Sequence, residues 1–254
     1  MNYGLYLSAA GAKAQLDRQA VITNNLANAN TSGFKRDLVV MQSRMNAAYE
    51  DPRMAAYRLP IVKDIGGGVD AMGDGIDLSQ STIEETGNPT DLAISGRGFF
   101  MVQGENGEQL LTRDGRFMLD QDGHVLTVAA GNRPVLSKDG SPLVVDPNQK
   151  LRIDPDGTVW EGGQITDKKL ALTDVSDPRY LVKVGGNLLK NNGTLKPVSV
   201  DTKMLQYKLE NSGVDPMQEI ITMMEGQRAF EANTKMMQFQ DTTLSQLNTV
   251  GRVA

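Results

Sequence analysis

The chain has 254 residues, 39% of them hydrophobic, enough for one large or two modest folded domains and too apolar for a disordered tail. Its 26 basic and 31 acidic residues give a net charge of −5 with no Lys/Arg run, so phosphate-driven nucleic-acid binding has no electrostatic footprint. Cysteine is absent, which excludes disulfides and thiolate metal sites in any compartment. The first residues, Met-Asn-Tyr-Gly-Leu-Tyr-Leu, are apolar but lack the basic residues that open a cleaved secretory signal. No run approaches the roughly 20 apolar residues of a membrane span, so no direct membrane insertion is expected.

From Tyr3 to Ala27 the positions Leu5, Ala9, Ala12, Leu16, Ala20, Thr23 and Ala27 step by three and four, which predicts a helix with a narrow, alanine-rich face. Such a face buries little area, so the helix needs a partner. Asn24, Asn25, Asn28 and Asn30 compete for backbone hydrogen bonds, and Gly33 can take a positive φ, so the helix is expected to stop between Asn28 and Thr31. An asparagine-rich helix end can be a plain C-cap. Four asparagines beside Leu16, Ile22 and Leu26 also read as hydrogen-bonding groups for a packed partner.

Residues 37–80 read as an extended linker, punctuated by Pro52, Pro60, Gly66-Gly67-Gly68, Gly73 and Gly75. Gly66-x-Gly68-x-x-Ala71 matches a dinucleotide fingerprint superficially, but no strand, helix or βαβ unit frames it, and no cofactor is expected. Over residues 81–210 the period becomes two. Turn signals recur at Asn106-Gly107, Asp114-Gly115, Asp122-Gly123, Asp139-Gly140, Asp156-Gly157 and Asn192-Gly193, which predicts antiparallel hairpins. Residues 129–210 say little beyond this β pattern.

Helical pattern returns after Gly213. Asp215 is a good N-cap, Pro216 suits the first helical position and Gln218 completes a capping box. Met223, Phe230, Met237 and Leu244 recur every seven residues, flanked by Ile220, Leu247 and Val250, a heptad-like seam.

Little points to chemistry. The one histidine, His124, follows the Asp122-Gly123 turn and reads as a solvated hairpin residue, so Ser-His triads and multi-histidine metal sites are not expected. The Asp120 to Gly123 turn lacks calcium-loop spacing. A carboxylate pair could serve a glycan hydrolase, but nothing singles out a pair among the acidic residues. The methionine-rich C-terminal helix carries Glu219, Glu225, Glu231 and Asp241 beside Arg228 and Lys235, unlike the basic face that anionic lipid selects.

Asn24-Asn-Leu-Ala-Asn-Ala-Asn-Thr-Ser-Gly-Phe-Lys35 resembles the signature of the bacterial flagellar axial family of rod and hook proteins. Asp91-Leu-Ala-Ile-Ser-Gly-Arg-Gly-Phe-Phe100, Thr112-Arg-Asp-Gly-Arg-Phe117 and Gln227-Arg-Ala-Phe-Glu-Ala-Asn-Thr-Lys235 resemble further segments of that family. The chain's two ends suit a proximal-rod member better than a distal-rod one. The resemblance implies a structural subunit, not an enzyme, without cofactor or metal. It would leave the cell uncleaved through the flagellar export apparatus and build the rod in the periplasmic space with itself and other rod subunits. The expected fold is α+β. Residues 1–36 plus 211–254 form a discontinuous, coiled-coil-like helical domain, residues 37–80 a linker, and residues 81–210 a central, mainly antiparallel β domain. The expected assembly interface comprises Leu5, Leu16, Ile22, Asn24, Asn25, Leu26, Asn28, Ile220, Met223, Phe230, Met237, Leu244 and Leu247. The helices are expected to order on assembly, leaving a protease-resistant core near residues 81–205 in the monomer.

Overall fold

The computed structural model describes residues 3–44, 66–120, 126–128 and 131–250. The chain divides into two compact units, the first of residues 1–27, 37–75 and 215–254, the second of residues 28–36 and 76–214. The fold is α+β, with two long helices and a mainly antiparallel set of strands. Pro52, Pro60, Asp122-Gly123 and His124 lie outside the described residues.

In the first unit, α1 spans Tyr3–Ala27 and α2 spans Pro216–Val250. α1 gives way to a turn in which the Thr31 N–H donates to the Asn28 carbonyl at 3.1 Å. α2 starts at Pro216 because the Asp215 carboxylate accepts from the Met217 and Gln218 N–H groups at 3.0 and 3.3 Å, satisfying donors that a helix start leaves free. The helices run antiparallel: Gly4 meets Gln240, Gly11 meets Asn233, and Gln15 meets Gly226. A Cβ on Gly4 would stand 2.7 Å from the Gln240 amide nitrogen, and one on Gly11 3.2 Å from that of Asn233. The glycines are notches that receive long amide side chains.

These notches explain why burial on α1 departs from the predicted stripe. Ser8, Ala12, Ala14, Ile22 and Asn25 are buried, whereas Leu5, Ala9, Leu16, Ala20 and Ala27 are exposed. Close backbone approach at glycine, not hydropathy, selects the packed face. Within the stretch expected as a linker, β1 (Asp37–Ser43) and β2 (Val69–Ile76) form a two-stranded sheet. The Gly66–Gly68 run serves that sheet. Gly67 N–H donates to the Arg44 carbonyl at 2.6 Å, and Arg44 N–H donates to that of Gly68 at 2.8 Å.

The strands of the second unit are β3 (Ile83–Glu85), β4 (Leu92–Ser95), β5 (Phe99–Gln103), β6 (Gln109–Thr112), β7 (Phe117–Leu119), β8 (Leu126–Val128), β9 (Arg133–Pro134), β10 (Leu151–Ile153), β11 (Thr158–Glu161), β12 (Gln164–Lys169), β13 (Leu172–Val175), β14 (Leu181–Gly185), β15 (Leu188–Asn191), β16 (Leu195–Lys196), β17 (Lys203–Gln206) and β18 (Lys208–Glu210). Six make one antiparallel sheet in the order β14-β15-β6-β5-β13-β16. The Asn106-Gly107, Asp139-Gly140 and Asp156-Gly157 signals fall in turns whose glycines take φ of +78°, +81° and +90°. The core of the second unit has two clusters: the larger surrounds Phe100, Val102, Leu126, Val128, Val135, Leu143 and Val159, none with exposed surface, and the smaller gathers Phe99, Leu111, Val175, Leu181 and Leu189. Phe100 and Phe117 meet edge to face at 5.0 Å, so truncating Phe100 to alanine would cost about 3–5 kcal/mol.

Sequence periodicity joined residues 28–36 to the helices, but in the structure they group with the strands. The reason is a set of polar contacts that this segment makes inside the second unit.

Candidate assembly interface

The residues expected to carry assembly fall into two sets. Ile22 and Asn25 are buried in the first unit, and Leu26, Met223, Phe230 and Met237 are half-buried there. Leu5, Leu16, Asn24, Ile220 and Leu244 are exposed. Asn28 lies in the turn after α1, where its side-chain oxygen accepts from the Thr31 hydroxyl at 3.3 Å. Leu247 lies on α2, but its side chain is outside the described residues. The seven-residue seam therefore faces inward over Met223, Phe230 and Met237. It runs beside a second heptad series, Glu219, Gly226, Asn233 and Gln240, that hydropathy does not reveal.

The outward helix faces carry large apolar side chains among charged ones. α1 exposes Leu5, Tyr6 and Leu16, and α2 exposes Met217 and Phe239 at 67% and 70%, together with Ile221, Met224 and Met236. Scattered apolar residues on a monomer surface need no explanation; here they recur along both long helices.

Asn25 does different work from its neighbours. Its amide nitrogen donates to the Asp37 carbonyl at 3.0 Å and its oxygen accepts from the Asp37 N–H at 2.9 Å, pinning the start of β1 to α1.

In the second unit the Asn-Thr-Ser-Gly-Phe-Lys and Thr-Arg-Asp-Gly-Arg-Phe segments converge on one buried carboxylate, Glu210, and the Ile-Ser-Gly-Arg-Gly-Phe segment joins through its Ile94 and Gly96 carbonyls, which accept from Arg113. Glu210 accepts from Lys35 Nζ at 2.7 Å, the Ser81 N–H at 3.0 Å and Arg113 Nη1 at 3.0 Å. Lys35 also donates to the Ser79 carbonyl at 2.7 Å, and Arg113 to the Gly96 carbonyl at 2.7 Å. The charged side chains of Lys35, Arg113 and Glu210 are at most 4% exposed. Burial holds the Lys35 ammonium and the Arg113 guanidinium below their ordinary pKa values, against the opposing pull of Glu210. Next to this cluster Asp114, fully buried, takes Arg116 through two bonds at 3.0 and 2.8 Å. Sequence reasoning missed Glu210, which ends the three-residue strand β18 and carries no pattern of its own. Lys35 and Arg113 were visible only as letters in family-like segments.

Nothing in the geometry favours catalysis. The buried carboxylates of Glu210 and Asp114 are engaged by cations and backbone donors, and no group of three or more His, Asp or Glu among the described residues could hold a metal. No helix among the described residues is long and apolar enough to cross a membrane.

Three family models match the chain: "Flagella basal body rod protein" over residues 5–35, "Flagellar hook protein FlgE/F/G D1 domain" over residues 93–161, and "Flagellar basal body rod FlgEFG protein C-terminal" over residues 205–250. Among curated relatives, the flagellar basal-body rod protein FlgF of Caulobacter vibrioides is 36% identical over 220 residues, 85% of this chain and 84% of that protein. The rod protein FlgG of Buchnera aphidicola is 30% identical over 266 residues, 96% and 98% of the two chains. That of Bacillus subtilis is 30% identical over 261 residues, 96% and 97%.

Proposed function

Because the chain belongs to the flagellar basal-body rod protein family, we propose that it is a structural subunit of the rod, assembled with copies of itself and with other rod subunits through the outward faces of α1 and α2. The family is structural, so the chain is not an enzyme, and no observation favours a glycan hydrolase. The observation that carries the interface is the double apolar display, Leu5, Tyr6 and Leu16 on α1 and Met217, Met224, Met236 and Phe239 on α2.

The antiparallel contact of α1 with α2 and the seven-residue seam support a coiled-coil-like pairing within each subunit, which leaves the outward faces for neighbours. The FlgF relative, together with the two chain ends, favours a proximal-rod over a distal-rod subunit. The same reading proposes a periplasmic setting and uncleaved passage through the flagellar export apparatus, and the charge balance offers no footprint for a nucleic-acid partner.

Phe239→Asp tests the proposal. Phe239 is 70% exposed, so the variant should fold and melt like the parent while failing to restore rods and swimming in a strain lacking the native gene. Normal rods built from Phe239→Asp subunits would remove the outward face of α2 from the interface.

A further inference from the structure

The second unit seats residues 32–36 as a ligand. The segment lies between two other stretches of backbone. On one side Gly33 N–H donates to the Glu210 carbonyl at 2.7 Å and Gly213 N–H donates to the Phe34 carbonyl at 2.9 Å. On the other, Asp77 N–H donates to the Arg36 carbonyl at 2.9 Å. Side chains complete the seat. Asn187 Nδ2 donates to the Ser32 carbonyl at 2.8 Å, Lys183 Nζ donates to the Lys35 carbonyl at 2.6 Å, and the same ammonium stands 4.0 Å from the centre of the Phe34 ring. Gly33 has φ +68° and lies so close to Arg113 that a Cβ would overlap the Arg113 carbonyl, so only glycine fits the narrowest point.

Two further facts set this segment apart from the strands around it. Phe34 is 5% exposed, yet it belongs to neither cluster of buried hydrophobic residues, both of which are complete without residues 28–36. The segment is held by backbone bonds, by one shared carboxylate and by burial of Phe34, the way an extended peptide is held on a receptor edge with one side chain in a pocket. Moreover, the receptor's own cation, Arg113, already pairs with Glu210, so the carboxylate serves receptor and ligand at once.

We infer that the second unit contains a peptide-binding cleft whose resident ligand is the chain's own Gly33-Phe34-Lys35, with Glu210 selecting the lysine and Gly33 the narrow neck. The ligand is separable from the core: it can leave its seat while β5 and β6 stay formed.

Charge exchange in the full chain, read by hydrogen exchange at single amides, tests this. Lys35→Met leaves a neutral Arg113–Glu210 pair. It should speed exchange at the Gly33, Asp77 and Gly213 amides roughly tenfold while β5 and β6 amides stay within about twofold. Glu210→Gln should open the same amides further, because two buried cations then face a neutral amide. Adding Lys35→Met to Glu210→Gln should slow their exchange again, since it removes one of those cations, so the sign of the lysine substitution reverses between backgrounds. Loss of protection in β5 and β6 in step with Gly33, or a lysine substitution that speeds exchange in both backgrounds, would overturn the inference and make the segment an ordinary part of the core.

Discussion

Asn25 and Asp37 exchange two hydrogen bonds, one in each direction, between a helix side chain and the backbone of the first strand. The amide does what a neighbouring strand does for a peptide group. Only a group with one donor and one acceptor at this spacing can replace it. Asn25→Asp keeps the acceptor but loses the donor that reaches the Asp37 carbonyl at this buried position, so it should cost about 1–3 kcal/mol in thermal or urea unfolding. Asp17→Asn, on the exposed face of the same helix, should stay within about 0.5 kcal/mol. Equal effects at the two positions would contradict this account of Asn25.

The glycine notches predict opposite signs for two similar substitutions. At Gly226 a Cβ would sit 3.6 Å from Gln15, an ordinary contact, so Gly226→Ala should raise helix stability by roughly 0.8–1 kcal/mol through propensity alone. At Gly11 the Asn233 amide already occupies the notch, and Gly11→Leu should cost about 1–3 kcal/mol by overpacking. Helical circular dichroism on heating would show both shifts.

Phe230 and Phe239 separate folding from assembly. Phe230 is half-buried on the inward seam, and Phe230→Asp should lower monomer stability by about 2–4 kcal/mol while also blocking incorporation into rods. Phe239→Asp should change monomer stability by no more than about 0.5 kcal/mol. Unfolding of both purified monomers, measured beside rod formation, distinguishes the two roles.

Acid sensitivity should trace in part to Asp156. Hydrogen bonds from Lys169 and Thr158 hold its carboxyl at about 2, below the ordinary 3.8. The folded chain therefore binds this proton less readily than the unfolded chain does. The contribution is complete above the ordinary value and is lost as pH falls through about 2. The side chain is 60% exposed, so screening keeps the contribution near 0.2–1 kcal/mol. Asp156→Asn should flatten the stability curve between those two pH values and leave it unchanged in slope near neutrality.

Sequence patterns were most legible where one local rule decides the outcome. Asp215 and Pro216 set the start of α2, the asparagine run ended α1, and the Asn-Gly and Asp-Gly pairs marked several turns, because each depends on neighbouring residues alone. The packed face of α1 was not legible. Hydropathy favoured Leu5 and Leu16, while Gly4, Gly11 and Gln15 meet α2, since a notch is defined only once its filler is known. The seat of Lys35 was illegible for a related reason: its partner Glu210 lies 175 residues away and no periodicity links them.

That separation has a consequence for the order in which the molecule forms. Closing a loop of such length carries a large entropic cost before any contact rewards it, so contacts this remote form late. Arg113 and Glu210 are themselves 97 residues apart, and the carboxylate lies only four residues before the end of the second unit. A chain emerging from the ribosome exposes Lys35 early and holds it without its partner until nearly all of the protein has been made. Docking of residues 32–36 is then one of the last folding events, a slow final step that follows collapse of the strands around Phe100 instead of guiding it.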